Sequence, residues 1–151
     1  MKRFQFNLAT VLGVRATQET RAMESYALAV RDLNDLNARR QKVRDSLDEV
    51  MQRRGKLLAQ RAPSEELIQV QKSAAAFREQ WLAFEPELLK QQKVVNQRWQ
   101  LLLAARQRRE GLDRLREKQS KRHQADAQRK EQLSLDEMTL MREHLKLASN
   151  P

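Results

Sequence analysis

The chain has no cysteine, three glycines and three prolines among its 151 residues, and only seven aromatic side chains. Without thiols there can be no disulfide and no thiolate metal site. So little glycine and proline leaves few sharp turns, and no glycine-rich phosphate loop is present. Seven aromatics give little to fill a three-dimensional core. No stretch reaches the roughly 20 consecutive apolar residues that span a bilayer. The opening Met1-Lys2-Arg3-Phe4-Gln5-Phe6-Asn7 starts basic, but Gln5, Asn7 and Thr10 interrupt its apolar character and Arg15 closes it, so it fails as a signal peptide. The expected location is the cytoplasm.

What is present is charge and helix-forming residues. Charged residues make up 33% of the chain, and 30 basic against 20 acidic residues give a net charge of +10. Ala, Glu, Lys, Leu, Arg and Gln dominate, the composition of long helices and coiled coils. From Leu8 the apolar residues recur in steps of four and three: Leu8, Leu12, Arg15, Glu19, Ala22, Tyr26, Ala29, Leu33, Leu36, Arg40, Val43, Leu47, Val50, Arg54, Leu57. Eleven of these fifteen positions are apolar, at a mean spacing of 3.5 residues. A stripe of that period buries itself only against another helix, and the pair supercoils.

Catalytic chemistry is missing. No nucleophile and base sit at a useful spacing. His123 and His144 stand in separate charged segments and read as solvated, so no metal and no cofactor is expected. The pairs Glu65-Glu66 and Asp136-Glu137 are adjacent in helices, point about 100° apart and cannot share a substrate. The expected product of this sequence is not an enzyme.

The breakers divide the chain into three segments. The first helix is expected over residues 8–60, roughly 80 Å long. It stops near Arg61-Ala62-Pro63, because Pro63 lacks an amide hydrogen and disfavours helix at Ala62. Ser64 is placed to cap the next helix, with Glu65 and Glu66 at the positive end of the dipole. A second segment, 65–84, carries Leu67, Val70, Ala74, Phe77, Trp81 and Phe84. Pro86 is expected to end or kink it, and a third helix then covers 87–148. Residues 106–132 of that helix are very polar, with Leu112 and Leu115 their only large apolar residues. Apolar residues return at Leu133, Leu135, Met138, Met141 and Leu145. The expected fold is all-α: a long antiparallel two-helix coiled-coil hairpin with a short helical tip, one domain over 1–151.

Two registers compete. A tight turn at Arg61 to Ser64 puts Leu57 opposite Leu67 and Val43 opposite Trp81, and leaves residues beyond about Arg116 unpartnered. Setting 65–84 aside as a tip instead puts Leu57 opposite Leu88, Val50 opposite Val95, Val43 opposite Leu102, Leu33 opposite Leu112 and Leu12 opposite Leu133. Apolar matching favours the second, which would zip together the end bearing both termini. The stripe Phe77, Trp81, Phe84, Leu88 lies on one helix face. It either docks a partner or packs within its own hairpin.

The start Phe4-Gln5-Phe6-Asn7-Leu8-Ala9-Thr10-Val11-Leu12-Gly13-Val14-Arg15, the single basic helical hairpin, and the run Lys130-Glu131-Gln132-Leu133-Ser134-Leu135-Asp136-Glu137-Met138 together resemble the FliJ family, the stalk proteins of the bacterial flagellar type III export apparatus. The resemblance extends in pattern over essentially the whole chain. It implies a non-enzymatic part that inserts its termini-bearing end into the pore of a hexameric export ATPase. There it would promote ring assembly, couple ATP hydrolysis to the export gate in the inner membrane, and escort unloaded flagellar export chaperones. It further implies gate contact at Phe77, Trp81, Phe84 and Leu88, and ATPase contact at Phe4, Phe6, Leu8, Leu12, Arg15, Leu133, Asp136, Glu137 and Met138. The implied place of work is the cytoplasmic face of the inner membrane.

Rival readings are the equivalent stalk of a virulence-type secretion system, a generic scaffold, and a basic coiled coil binding nucleic acid. Against the last, residues 106–132 hold ten basic and five acidic residues, so no continuous phosphate track forms. The aromatics do not interleave with the basic runs either.

Overall fold

The computed structural model describes residues 3–148; Met1, Lys2 and residues 149–151 of the expected single-domain span lie outside them. Two helices, α1 (Ala9–Ala59) and α2 (Ser64–Ala148), pack against each other as an all-α hairpin, with no strand among the described residues. The chain divides into two compact units, one of residues 20–104 and one whose described part is 3–19 with 105–148.

In the unit of residues 20–104, the 3.5-residue stripe is the seam. Every position of it from Ala22 to Leu57 is buried or half-buried, Arg40 and Arg54 included. From α2 the seam takes Leu67, Val70, Ala74, Phe77, Trp81, Phe84, Leu88, Gln91 and Val95. Only Ala29, Val70, Ala74 and Val95 are buried, since two helices cannot enclose a larger side chain completely. Cross-helix contacts fix the pairing. Tyr26 and Trp99 meet as tilted rings with centroids 5.2 Å apart, and the Gln91 side-chain amide donates to the Ala29 carbonyl at 3.0 Å. The Arg40 guanidinium lies 4.2 Å from the Trp81 ring centroid.

These contacts correct the favoured register: α1 pairs in the tight-turn alternative, near Val43 opposite Trp81. The expected tip also disappears, because residues 65–84 are the first part of α2 and Pro86 sits inside a continuous helix. Proline removes one backbone hydrogen bond, about 3 kcal/mol with its steric clash. Here it is exposed, so water can reach the carbonyl it leaves unpaired, and the seam residues on either side, Phe84 and Leu88, stay in phase against α1. Packing over many turns outweighs one local breaker.

The turn ends α1 where expected. Arg61 takes a left-handed conformation, φ 50°. Its amide donates to the Leu58 carbonyl at 3.3 Å and that of Ala62 to Leu57 at 3.0 Å. This paired pattern is a Schellman termination, usually built on glycine. Pro63 supplies the carbonyl that accepts the Leu67 amide at 3.5 Å, so the cap lies one residue before Ser64, while Glu65 and Glu66 occupy the first turn of α2.

In the unit of 3–19 with 105–148, Phe4 meets His123 with ring centroids 5.7 Å apart. Leu133 lies ten residues further along α2, about 15 Å at the helical rise. The expected zip of Leu12 with Leu133 is therefore not formed. Beyond His123 only Ala127 is even half-buried among the described residues. Leu133, Leu135, Met138, Leu140, Met141, Leu145 and Leu147 are 56–75% exposed.

Candidate functional site

The four residues of the expected gate stripe share one face, and that face is the seam. Phe77, Trp81, Phe84 and Leu88 are all half-buried against α1. Of the two alternatives for this stripe, packing within the hairpin is the one observed. Beside it runs a line of open apolar residues: Ile68, Leu82 and Leu89 are 53%, 55% and 62% exposed. Two shallow grooves flank that line. One holds Arg44, Leu47, Asp48, Arg78, Trp81 and Leu82; the other includes Asn37, Arg40, Glu85, Leu88 and Leu89. Arg40 Nε is buried there without a hydrogen-bond partner, and its guanidinium lies over the Trp81 ring face.

The expected ATPase-contacting residues divide into two sets. Phe4, Phe6 and Leu12 are half-buried and share a groove with Ala9, Gly13 and Arg116. Leu8 is on the open side, and half-buried Arg15 donates to the Gln18 side chain at 3.0 Å. Leu133, Asp136, Glu137 and Met138 are exposed on α2, and α1 does not reach them.

The same unit holds a charged cluster built on Glu19 that the sequence does not single out as a site. Glu19 accepts a hydrogen bond from Arg109 Nε and stands 3.9 Å from Arg106. Arg109 also pairs with Asp113 at 2.5 Å, and Arg106 with Glu110 at 3.3 Å. The hydrogen bond to Glu19, joined by that to Asp113, raises the Arg109 pKa above its ordinary value. One signal could have found the cluster: Glu19 occupies a seam position of the stripe, where a charge needs an opposite partner.

No group of His, Asp and Glu among the described residues could hold a metal ion, and no described helix is long and apolar enough to cross a membrane. What the molecule offers is surface: open grooves along a helical seam, and an uncovered apolar helix. A family model described as flagellar FliJ protein matches residues 4–147. The chain belongs to the FliJ family. Neither a curated protein nor a solved structure matches it. FliJ membership makes the chain a flagellar, export-related stalk protein of a non-catalytic family.

Proposed function

We propose that this FliJ chain is the stalk of the flagellar type III export apparatus and enters the pore of the hexameric export ATPase. The observation that carries the reading is the uncovered stretch of α2 from Leu133 to Leu147, seven large apolar residues with no partner from α1. Monomers seldom leave such a surface idle. On this reading Leu133, Asp136, Glu137 and Met138 contact the ring deepest, and Phe4, Phe6, Leu8, Leu12 and Arg15 contact it nearer the mouth. Basic residues would meet acidic loops through weak, exchangeable pairs, which suits a part that shifts within a pore. The export gate would dock on the unit of residues 20–104. Phe77, Trp81, Phe84 and Leu88 would contribute their remaining open edges, with Leu82 and Leu89 alongside. Chaperone escort and work at the cytoplasmic face of the inner membrane complete the proposal.

The test adds the purified chain to the export ATPase and measures turnover and hexamer formation. Stimulation of both, lost with Met138→Asp, is expected. No effect on either, with an active ATPase, would remove the stalk reading.

A further inference from the structure

Two uncovered apolar lines in this molecule have the same period. On α2, Ile68, Ala75, Leu82 and Leu89 recur every seven residues, all exposed and beside the seam. Further along α2, Leu133, Leu140 and Leu147 also recur every seven residues, at 56%, 61% and 75% exposure. Heptad-spaced ridges are what one helix presents to another in a coiled coil, because each knob then meets a hole at the same height.

Their charges are opposite. The grooves beside Leu82 and Leu89 are lined by Arg40, Arg44 and Arg78 against Asp48 and Glu85. The stretch from Glu131 to Leu147 carries Glu131, Asp136, Glu137 and Glu143 against Arg142 and Lys146, a net charge of −2.

We propose that residues 131–147 of one copy dock as a third helix on the Ile68–Leu82–Leu89 ridge of a second copy. Leu133, Leu140 and Leu147 would face the ridge, while the acidic residues turn towards Arg40, Arg44 and Arg78. The contact joins two different surfaces, so a pair still has one ridge and one tail free and association proceeds head to tail. It hides, in the free protein, the apolar surfaces that a heterologous partner would otherwise need to find exposed. This self-association needs no export partner and is tested without one, although it occupies the same surfaces that the stalk reading assigns to the ATPase and the gate.

The test is sedimentation of the purified chain at rising concentration, with helicity by circular dichroism as the folding control. An interface of a few helical turns is small and therefore weak, so association is expected at about 0.1–1 mM protein. Leu140→Asp and Leu82→Asp each replace an exposed side chain, and each variant alone is expected to stay monomeric. Mixed, they pair one to one and stop, because one supplies an intact ridge and the other an intact tail. Raised salt weakens the pairing. Association of Leu82→Asp as strong as that of the unaltered chain would overturn the proposal, showing tail-to-tail contact. So would a monomeric unaltered chain over the whole range, or failure of the two variants to complement one another.

Discussion

Arg40 reaches across the seam from α1 and lays its guanidinium over the Trp81 ring on α2, 4.2 Å from the centroid. A charged residue thereby occupies a seam position without a carboxylate, using the ring face as its partner and its stem as apolar filler. Arg40→Ala should lower stability by about 1 kcal/mol, and Trp81→Ala by about 2 kcal/mol because packing is lost as well. A double-mutant cycle in urea should show the two effects to be coupled. Strict additivity would mean that the stacking contributes nothing.

At the turn, Arg61 occupies a left-handed conformation that glycine adopts without strain. Arg61→Gly should raise stability by about 1 kcal/mol. The check is the urea midpoint at unchanged slope. A lower midpoint would mean that the Arg61 side chain contributes more than its backbone costs.

Pro86 interrupts the hydrogen bonding of α2 without ending the helix. Pro86→Ala should restore one backbone hydrogen bond and stabilise the hairpin by about 2 kcal/mol. Amide exchange around Leu82 to Leu88 should slow in the variant. Destabilisation would instead indicate that the protein depends on a bend at this point.

Much of this molecule is legible in the chain. The stripe from Leu8 to Leu57 is given directly by spacing, and every member but the exposed Leu8 is covered to some degree in the fold. The stop at Arg61 to Pro63 comes from proline chemistry. Register is not legible, for a physical reason. Leu67 and Leu88, the alternative partners of Leu57, lie three heptads apart, and a heptad pattern looks the same after such a step. Apolar matching cannot separate the two; the tight turn and the continuity of α2 through Pro86 do. Too much weight on one proline also yields a tip that does not exist and gives Leu133 a partner it lacks. Glu19 is flagged as a seam position by the stripe, but its partner Arg109 is not, because the spacing alone does not say which of the many basic residues of α2 stands opposite it.

The cluster at Glu19 leads to a prediction about charge order. Glu19→Arg should weaken pairing in the unit of 3–19 with 105–148, and adding Arg109→Glu should restore it, read as protease resistance of that unit. On α2, the hydrogen bond from Lys121 holds the Glu117 carboxyl below its ordinary value. A depressed carboxylate stabilises the folded state above that value, and the benefit is lost as pH falls through the folded pKa. Helicity near residue 117 should therefore fall on acidification, and Glu117→Gln should remove that pH dependence. An unchanged pH profile in the variant would show that the pair contributes nothing.

The pairing that leaves the end of α2 uncovered is open to direct measurement in a chain without native cysteine. Leu12 and Arg116 line one groove, so Leu12→Cys with Arg116→Cys should form a disulfide readily under mild oxidation. Leu12→Cys with Leu133→Cys should not. Efficient cross-linking of the second pair, with little of the first, would contradict the account, since it would bring Leu133 onto α1 and close the surface on which the proposed function rests.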